Sequence, residues 1–311
     1  MEKRRAKNPA EGKNYAAYTH LTVKEPCQLL DFLMKAKDGA SRTKVKGVLS
    51  GGGVLVNGQV ETRYDFPWLE GMKVDISRRK NQDTKRTQKA AYMKIVHEDR
   101  FLIVVEKMPG ILSMSTPHHQ FSIKSLLDEH LKNNHQKCTA HVVHRLDRDT
   151  SGLMVYAKSM DCRTRFEQDW HTTVYDRRYV AVVSGEMNHP NGTVSSWLKD
   201  DRDYFTHSYK EDVGGCKFAV THYRTLHKSP QGSLVELRLE TGRKNQIRVH
   251  MADLGHPVAG DTKYGDGFNP IDRLCLHAYR LCFIHPYTGE KMEFETAIPA
   301  DFRLQVENGA R

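Results

Sequence analysis

Apolar positions along this chain mark out two folded segments separated by polar ones. Residues 1–20 are polar and read as a disordered tail. From Leu21 to Ile76 the pattern closes into a compact unit. Leu29, Leu30, Leu33 and Met34 share one face of a helix that Pro26 can open. Val45, Val48 and Leu49 line a second helix that Ser41 can cap. Gly51-Gly52-Gly53 stops it, and Val54-Leu55-Val56 followed by Asn57-Gly58 reads as a strand entering a tight turn. Residues 77–90 have no apolar period and form a basic linker.

Residues 91–305 carry a different rhythm. Phe101–Val105 is a short buried strand leading to a turn at Lys107-Met108-Pro109-Gly110. Leu126, Leu127 and Leu131 mark a helix between Phe121 and Lys132, and a polar helix is expected around Asp161–His171. Strands are predicted at Tyr179–Val183, Phe218–Tyr223, Ser233–Glu240, Leu274–Ile284 and Met292–Thr296. Many strands with few intervening helices predict an α+β domain with a largely antiparallel sheet and flanking helices. No internal repeat is visible.

Charge adds an asymmetry that the apolar pattern does not show. The chain has a net charge of +10, and residues 1–90 hold 19 Lys/Arg against 10 Asp/Glu, leaving the remainder near neutral. A basic module on a near-neutral body suggests an appendage that docks on a polyanion. In the second helix Arg42, Lys44 and Lys46 crowd the positive end of the helix dipole, which stability does not explain and a phosphate ligand would. No apolar run reaches about 18 residues, so no membrane span is expected. The charged start, Met1 to Lys13, is no secretory signal. Six scattered cysteines without a C-x-x-C pair fit reduced thiols and a cytoplasmic setting.

Chemistry concentrates in one polar run, His144-Arg-Leu-Asp-Arg-Asp-Thr-Ser-Gly-Leu153, wedged between Val142-Val143 and Leu153-Met154-Val155-Tyr156. Asp147 falls near a strand end with Arg145 and Arg148 beside it, a setting that keeps a carboxylate ionised. Taken alone, the run reads most simply as a salt-bridged turn. Two further blocks are Arg177-Arg178-Tyr179 ahead of a Val/Ala strand, and Thr241-Gly-Arg-Lys-Asn-Gln-Ile-Arg-Val-His250 at a strand-to-helix junction. Metal chemistry is not expected. The 17 histidines, His118-His119 and His141-x-x-His144 among them, lack zinc-ligand spacing. Gly51-Gly52-Gly53 lacks the flanks of a nucleotide-phosphate loop.

The decapeptide resembles the signature of the RluA-type pseudouridine synthases. The resemblance continues through Gly242-Arg-x-x-Gln246-Ile-Arg248, His256-Pro-Val-Ala-Gly-Asp261 and Tyr264-Gly265. By this likeness Asp147 is the essential catalytic residue, Arg248 pairs with it, Tyr179 lies against the target base, and Arg145 contacts RNA and helps fill the vacated space. The chain departs from the family pattern with Arg177 in place of a lysine and with the proline of Lys107-Met108-Pro109-Gly110 moved by one position. Residues 21–76 resemble the alpha-L RNA-binding module, which implies phosphate contacts from Arg42, Lys44 and Lys46.

The implied reaction converts uridine to pseudouridine. It is redox-neutral, so no cofactor or metal is expected. It needs an ionised carboxylate as nucleophile or base and an aromatic to receive the flipped base. Large-subunit ribosomal RNA is the favoured substrate and transfer RNA the second. A non-catalytic RNA-binding or ribosome-assembly factor on the same fold is the alternative from a different class.

Overall fold

The computed structural model describes residues 18–23, 27–36, 41–50, 53–56, 59–61, 67–68, 71–77, 92–116 and 121–307. The chain divides into two units, Met1–Ala91 and Tyr92–Arg311.

In the first unit, strands β1 (Tyr18–Thr22), β6 (Lys73–Ser77), β3 (Val54–Val56) and β4 (Gln59–Val60) form one antiparallel sheet in that order. β2 (Cys27–Gln28) pairs with β5 (Pro67–Trp68). Helices α1 (Leu29–Ala36) and α2 (Arg42–Ser50) supply Leu33, Val45 and Leu49 to a core shared with Val54, Val56, Val74 and Ile76. Ser41 caps α2, its Oγ accepting from the Lys44 amide at 3.3 Å. Two expectations change. Residues 18–20, expected within the disordered tail, belong to an edge strand paired with β6. Cys27–Gln28 is a strand, so the first helix opens at Leu29. Pro26, the Asn57-Gly58 turn and residues 78–90 of the expected linker lie outside the described residues.

The second unit is built on an 11-stranded sheet. Its strands are β7 (Met93–Glu98), β8 (Leu102–Lys107), β9 (His141–Val142), β10 (Ser151–Ala157), β11 (Asp176–Ser184) and β12 (Asn191–Asp200). They continue with β13 (Thr206–Tyr209), β14 (Lys217–Lys228), β15 (Gly232–Leu239), β16 (Leu276–Ile284) and β17 (Lys291–Glu295). The path runs β13-β12-β14-β15-β11-β16-β10-β8-β7, with β17 on β16 and β9 on β10. Every pairing is antiparallel except β10 with β16. That parallel contact is short, Ser151 and Gly152 against His277 and Ala278. It falls where the polar decapeptide runs into the sheet.

Helices pack against the sheet. α3 (Ile123–Asn133) starts with a capping box between Ser122 and Ser125 and buries Ile123, Leu126, Leu127 and Leu131. The helix expected at Asp161–His171 is two, α4 (Met160–Gln168) and α5 (Trp170–Thr173). The break is at Asp169, whose φ of −124° and ψ of 41° are not helical. α6 (Gln246–Asp253) follows β15, and α7 (Ala300–Glu307) ends the described chain. No described helix is long and apolar enough to cross a membrane.

Candidate active site

Asp147 sits in the loop between β9 and β10, and buried polar groups of the neighbouring segments hold that loop in place. Lys107 is fully buried, and its Nζ donates to the carbonyls of Met108, Arg148 and Thr150 at 3.0, 2.7 and 2.7 Å. An ammonium has three protons and no acceptor, so three carbonyls satisfy it completely. Burial pushes the Lys107 pKa down to about 7. The Ser113 hydroxyl donates to Leu146 O at 2.6 Å and accepts from Leu146 N at 3.2 Å. His144 Nε2 accepts from the Val155 amide at 3.1 Å, which requires a neutral ring. Its burial pushes the imidazole pKa down to about 3. The loop leaves the site at Gly152, whose φ is +119°. A Cβ there would lie 2.2 Å from the Ala278 carbonyl, so only glycine lets β10 approach β16.

The loop closes one wall of a cavity of about 380 Å³. Arg145, Asp147, Tyr179 and Arg248 all line it, with Trp170, Arg177, Asn245 and Leu276. Tyr179 and Arg177 alternate with Asp176 and Arg178 on β11, so both turn to the same face. The β11–β16 register slips between Arg178 and Tyr179, a bulge of the kind that re-aims side chains next to sites. Tyr179 is buried at 7% exposure, and burial raises its phenol pKa, with Asp147 adding to the effect. Arg145 is exposed at the rim.

Arg248 does approach Asp147, its Nη1 lying 3.4 Å from Oδ2, but this is the weaker of its carboxylate contacts. Nε and Nη2 donate in parallel to Asp261 Oδ2 and Oδ1, both at 2.6 Å. Nη1 also donates to Asn245 Oδ1 at 3.0 Å. The two-pronged bond to Asp261 fixes the guanidinium plane, and the remaining nitrogen reaches toward Asp147. Burial works against the charge on Asp261. The bonds from Arg248 and from the Lys263 and Tyr264 amides outweigh it and hold the carboxyl below its ordinary pKa.

The helix carrying Arg248 is stapled by Gln246. Its Oε1 accepts from Thr241 Oγ1 and the Arg243 amide, and its Nε2 donates to Val220 O and Thr221 Oγ1. Asn245, in a left-handed conformation at φ 53°, starts the helix and donates to Tyr264 Oη at 3.1 Å.

Asp147, Tyr179, Arg248 and Arg145 are thus brought to one cavity. Arg42, Lys44 and Lys46 belong to the other unit, exposed on α2. Arg148 is not a partner of Asp147; it pairs with Asp149 at 3.3 Å on the surface. Sequence reasoning gave no role to Asp261, Asn245, Lys107 or Ser113. Asp261 stood in a quoted motif block, but nothing in spacing reveals a bond to a side chain 13 positions earlier. Among the described residues no group of three His, Cys, Asp or Glu side chains is placed to hold a metal ion. The described His141 contacts Thr139, and His118-His119 lie outside the described residues.

Comparison with known proteins agrees on one family. A model described as RNA pseudouridylate synthase matches residues 101–253. An uncharacterised RNA pseudouridine synthase of Bacillus subtilis is 31% identical, across 91% of this chain and 94% of its own length. Ribosomal large subunit pseudouridine synthase D of Vibrio parahaemolyticus is 33% identical, across 86% of each chain. Among solved structures, human RNA pseudouridylate synthase domain containing 4 superposes with a TM-score of 0.58 at 25% identity. That match covers 73% of this chain and 97% of the human one.

Proposed function

The chain belongs to the RNA pseudouridylate synthase family, and we propose that Asp147 is the residue on which its catalysis turns. It is an RNA pseudouridine synthase, an isomerase that breaks the glycosidic carbon–nitrogen bond of uridine and rejoins the base through a ring carbon. The proton on that carbon is lost to solvent and the ring nitrogen gains one, so the isomer keeps every atom type in number. The observation that carries the proposal is the Asp147 carboxylate, 30% exposed in the cavity, facing Arg248 and sharing the space with Tyr179.

In this reading the target uridine leaves its stack and enters the cavity, because the reacting bond is out of reach inside a helix. Tyr179 receives the flipped ring against its face. Asp147 starts the chemistry as an ionised carboxylate near the sugar and base. Arg248, locked by Asp261, holds Asp147 oriented, which keeps the reacting atoms within near-attack distance. Arg145 at the rim contacts the RNA and helps fill the gap left by the base. The first unit acts as an RNA-binding module of alpha-L type, with Arg42, Lys44 and Lys46 on phosphates. The relatives named for the large ribosomal subunit make its RNA the preferred substrate. Scattered cysteines and the absence of a described spanning helix fit a cytoplasmic enzyme.

The test maps pseudouridine in total cellular RNA from cells with and without the gene, complemented by wild type or by Asp147→Asn. One or a few large-subunit sites vanish on deletion and return only with wild type, while purified Asp147→Asn still binds RNA. Restoration by the asparagine variant removes Asp147 from the chemistry. Loss confined to transfer RNA replaces the ribosomal substrate and keeps the enzyme.

A further inference from the structure

One buried cation of the cavity has no acceptor among the described residues. Arg177 is 8% exposed, yet among the described residues its guanidinium makes no hydrogen bond and no ion pair. It lies over the Trp170 ring, 5.2 Å from the centroid. Arg248, by contrast, has Asp261, Asp147 and Asn245. A desolvated guanidinium is costly unless something repays its lost water, and a cation–π contact repays only part of that. Burial accordingly pulls its pKa below the usual arginine value, with Tyr179 a lesser opposing influence.

The chain has left room for this group. Arg177 Nη1 would lie 2.9 Å from a Cβ on residue 242, so Gly242 keeps the opposite loop clear of the guanidinium. Gly242 and Arg177 line the same cavity as Asp147 and Tyr179. On β11, Arg177 lies two positions before Tyr179 and on the same face.

We propose that Arg177 and the Gly242 loop form a phosphate subsite that grips a phosphodiester flanking the flipped uridine. An RNA backbone that delivers a base to Tyr179 must carry its phosphates past the cavity wall, and Arg177 is the buried cation on that wall that no described acceptor answers. Two guanidinium nitrogens meet two phosphate oxygens in the planar geometry that arginine favours. Trp170 holds the guanidinium plane in place before RNA arrives, so little rotamer freedom is lost on binding. Arg177 is thus a positioning residue, which fixes the nucleotide through its backbone while Tyr179 takes the base.

The inference rests on the synthase reading of the cavity, and its test uses binding so that the two can fail separately. Uridine, uridine 5′-monophosphate and uridine 3′-monophosphate are titrated calorimetrically into the full chain at low salt. Wild type binds one monophosphate about tenfold more tightly than uridine, the gain of one charge-assisted contact. Arg177→Met removes that gain and leaves uridine binding unchanged, whereas Arg177→Lys keeps most of it. Thermal unfolding checks each variant, and Arg177→Gln replaces the methionine variant if that one does not fold. The proposal is overturned if wild type shows no preference for either monophosphate, including no measurable binding. It is equally overturned if a folded methionine or glutamine variant keeps the preference. A phosphate preference that depends on Arg177 in a protein that forms no pseudouridine sinks the catalytic reading alone.

Discussion

Arg248 shows how much of a side chain's setting a motif leaves unsaid. The motif pairs it with Asp147, but its two short bonds go to Asp261, and Asp147 receives the 3.4 Å contact. An arginine tied to one carboxylate is a rigid arm toward another. Asp261→Asn keeps the shape and removes the charge that fixes the arm. It should lower kcat on the order of tenfold to a hundredfold, the scale of a small misplacement of reacting groups. KM should change little, because Asp261 is fully buried beneath Arg248 and does not face the cavity. Steady-state kinetics on the mapped RNA, with thermal unfolding to confirm a folded variant, reads this directly. An unchanged kcat would mean that Arg248 needs no clamp. That Asp147, Tyr179 and Arg248 share one cavity was legible because each stands in a motif block that the family resemblance covers. Asp261 and Lys107 were not, because their roles exist only through bonds to groups 13 and 41 positions away.

Elements follow the same division. Strands with continuous apolar runs, such as β8, β10, β11 and β16, are buried on both faces and stand out in the sequence. β12 and β13 do not, since Asn-Gly-Thr-Val-Ser-Ser-Trp-Leu-Lys-Asp and Thr-His-Ser-Tyr carry mixed, mostly polar residues at the sheet edge. Their strand form comes from pairing, β12 with β14 and β13 with β12, which no local pattern announces. At the other edge, β7 is tied down by charge. Glu98 accepts from Lys158 at 2.8 Å and Gln136 at 2.9 Å, and lies 2.6 Å from His130. Burial opposes its ionisation, but these bonds outweigh it and hold the pKa at about 2. A folded pKa below the unfolded one stabilises fully above the unfolded value, near 4.5, and the contribution is lost as pH falls toward 2. That difference corresponds to about 3 kcal/mol. Wild type should therefore lose more stability between pH 5 and pH 2.5 in urea melts than Glu98→Gln, by about 2 kcal/mol, because the folded carboxylate is still mostly ionised at pH 2.5. At pH 7 the glutamine variant should be the less stable, since Lys158 is left buried with one charge unanswered. Parallel pH profiles for the two proteins would dismiss the ion pair as a stabilising tie. At the centre of the sheet, Gly152→Ala should yield little folded protein. Its Cβ would meet backbone at 2.2 Å, and backbone cannot swing aside. A soluble alanine variant with normal near-ultraviolet dichroism would refute that.

At the scale of the molecule, the two units differ in charge. Residues 1–90 carry nearly all the excess positive charge, while the remainder, which contains the cavity, is close to neutral. This much was legible without a structure, because counting charges needs no fold. The structure adds that Arg42, Lys44 and Lys46 lie exposed on a helix with no acidic residue in its first turn. Val45 and Leu49 anchor the same helix in the core, and the three cations lie off that packed face. Replacing Arg42, Lys44 and Lys46 with glutamine in the full chain should therefore leave the core of the unit folded and weaken RNA binding. Each lost phosphate contact reduces the slope of log affinity against log salt by about 0.7 on single strands and about 0.9 on duplex. Three lost contacts should flatten it by roughly 2 to 3. The same variant should raise KM on RNA at physiological salt with kcat nearly unchanged, because uniform binding lowers KM without touching the chemical step. A slope that stays as steep as wild type would move the electrostatic contact onto other residues of the chain. A fall in kcat with KM unchanged would mean that these cations act on the reacting nucleotide, contrary to a docking role.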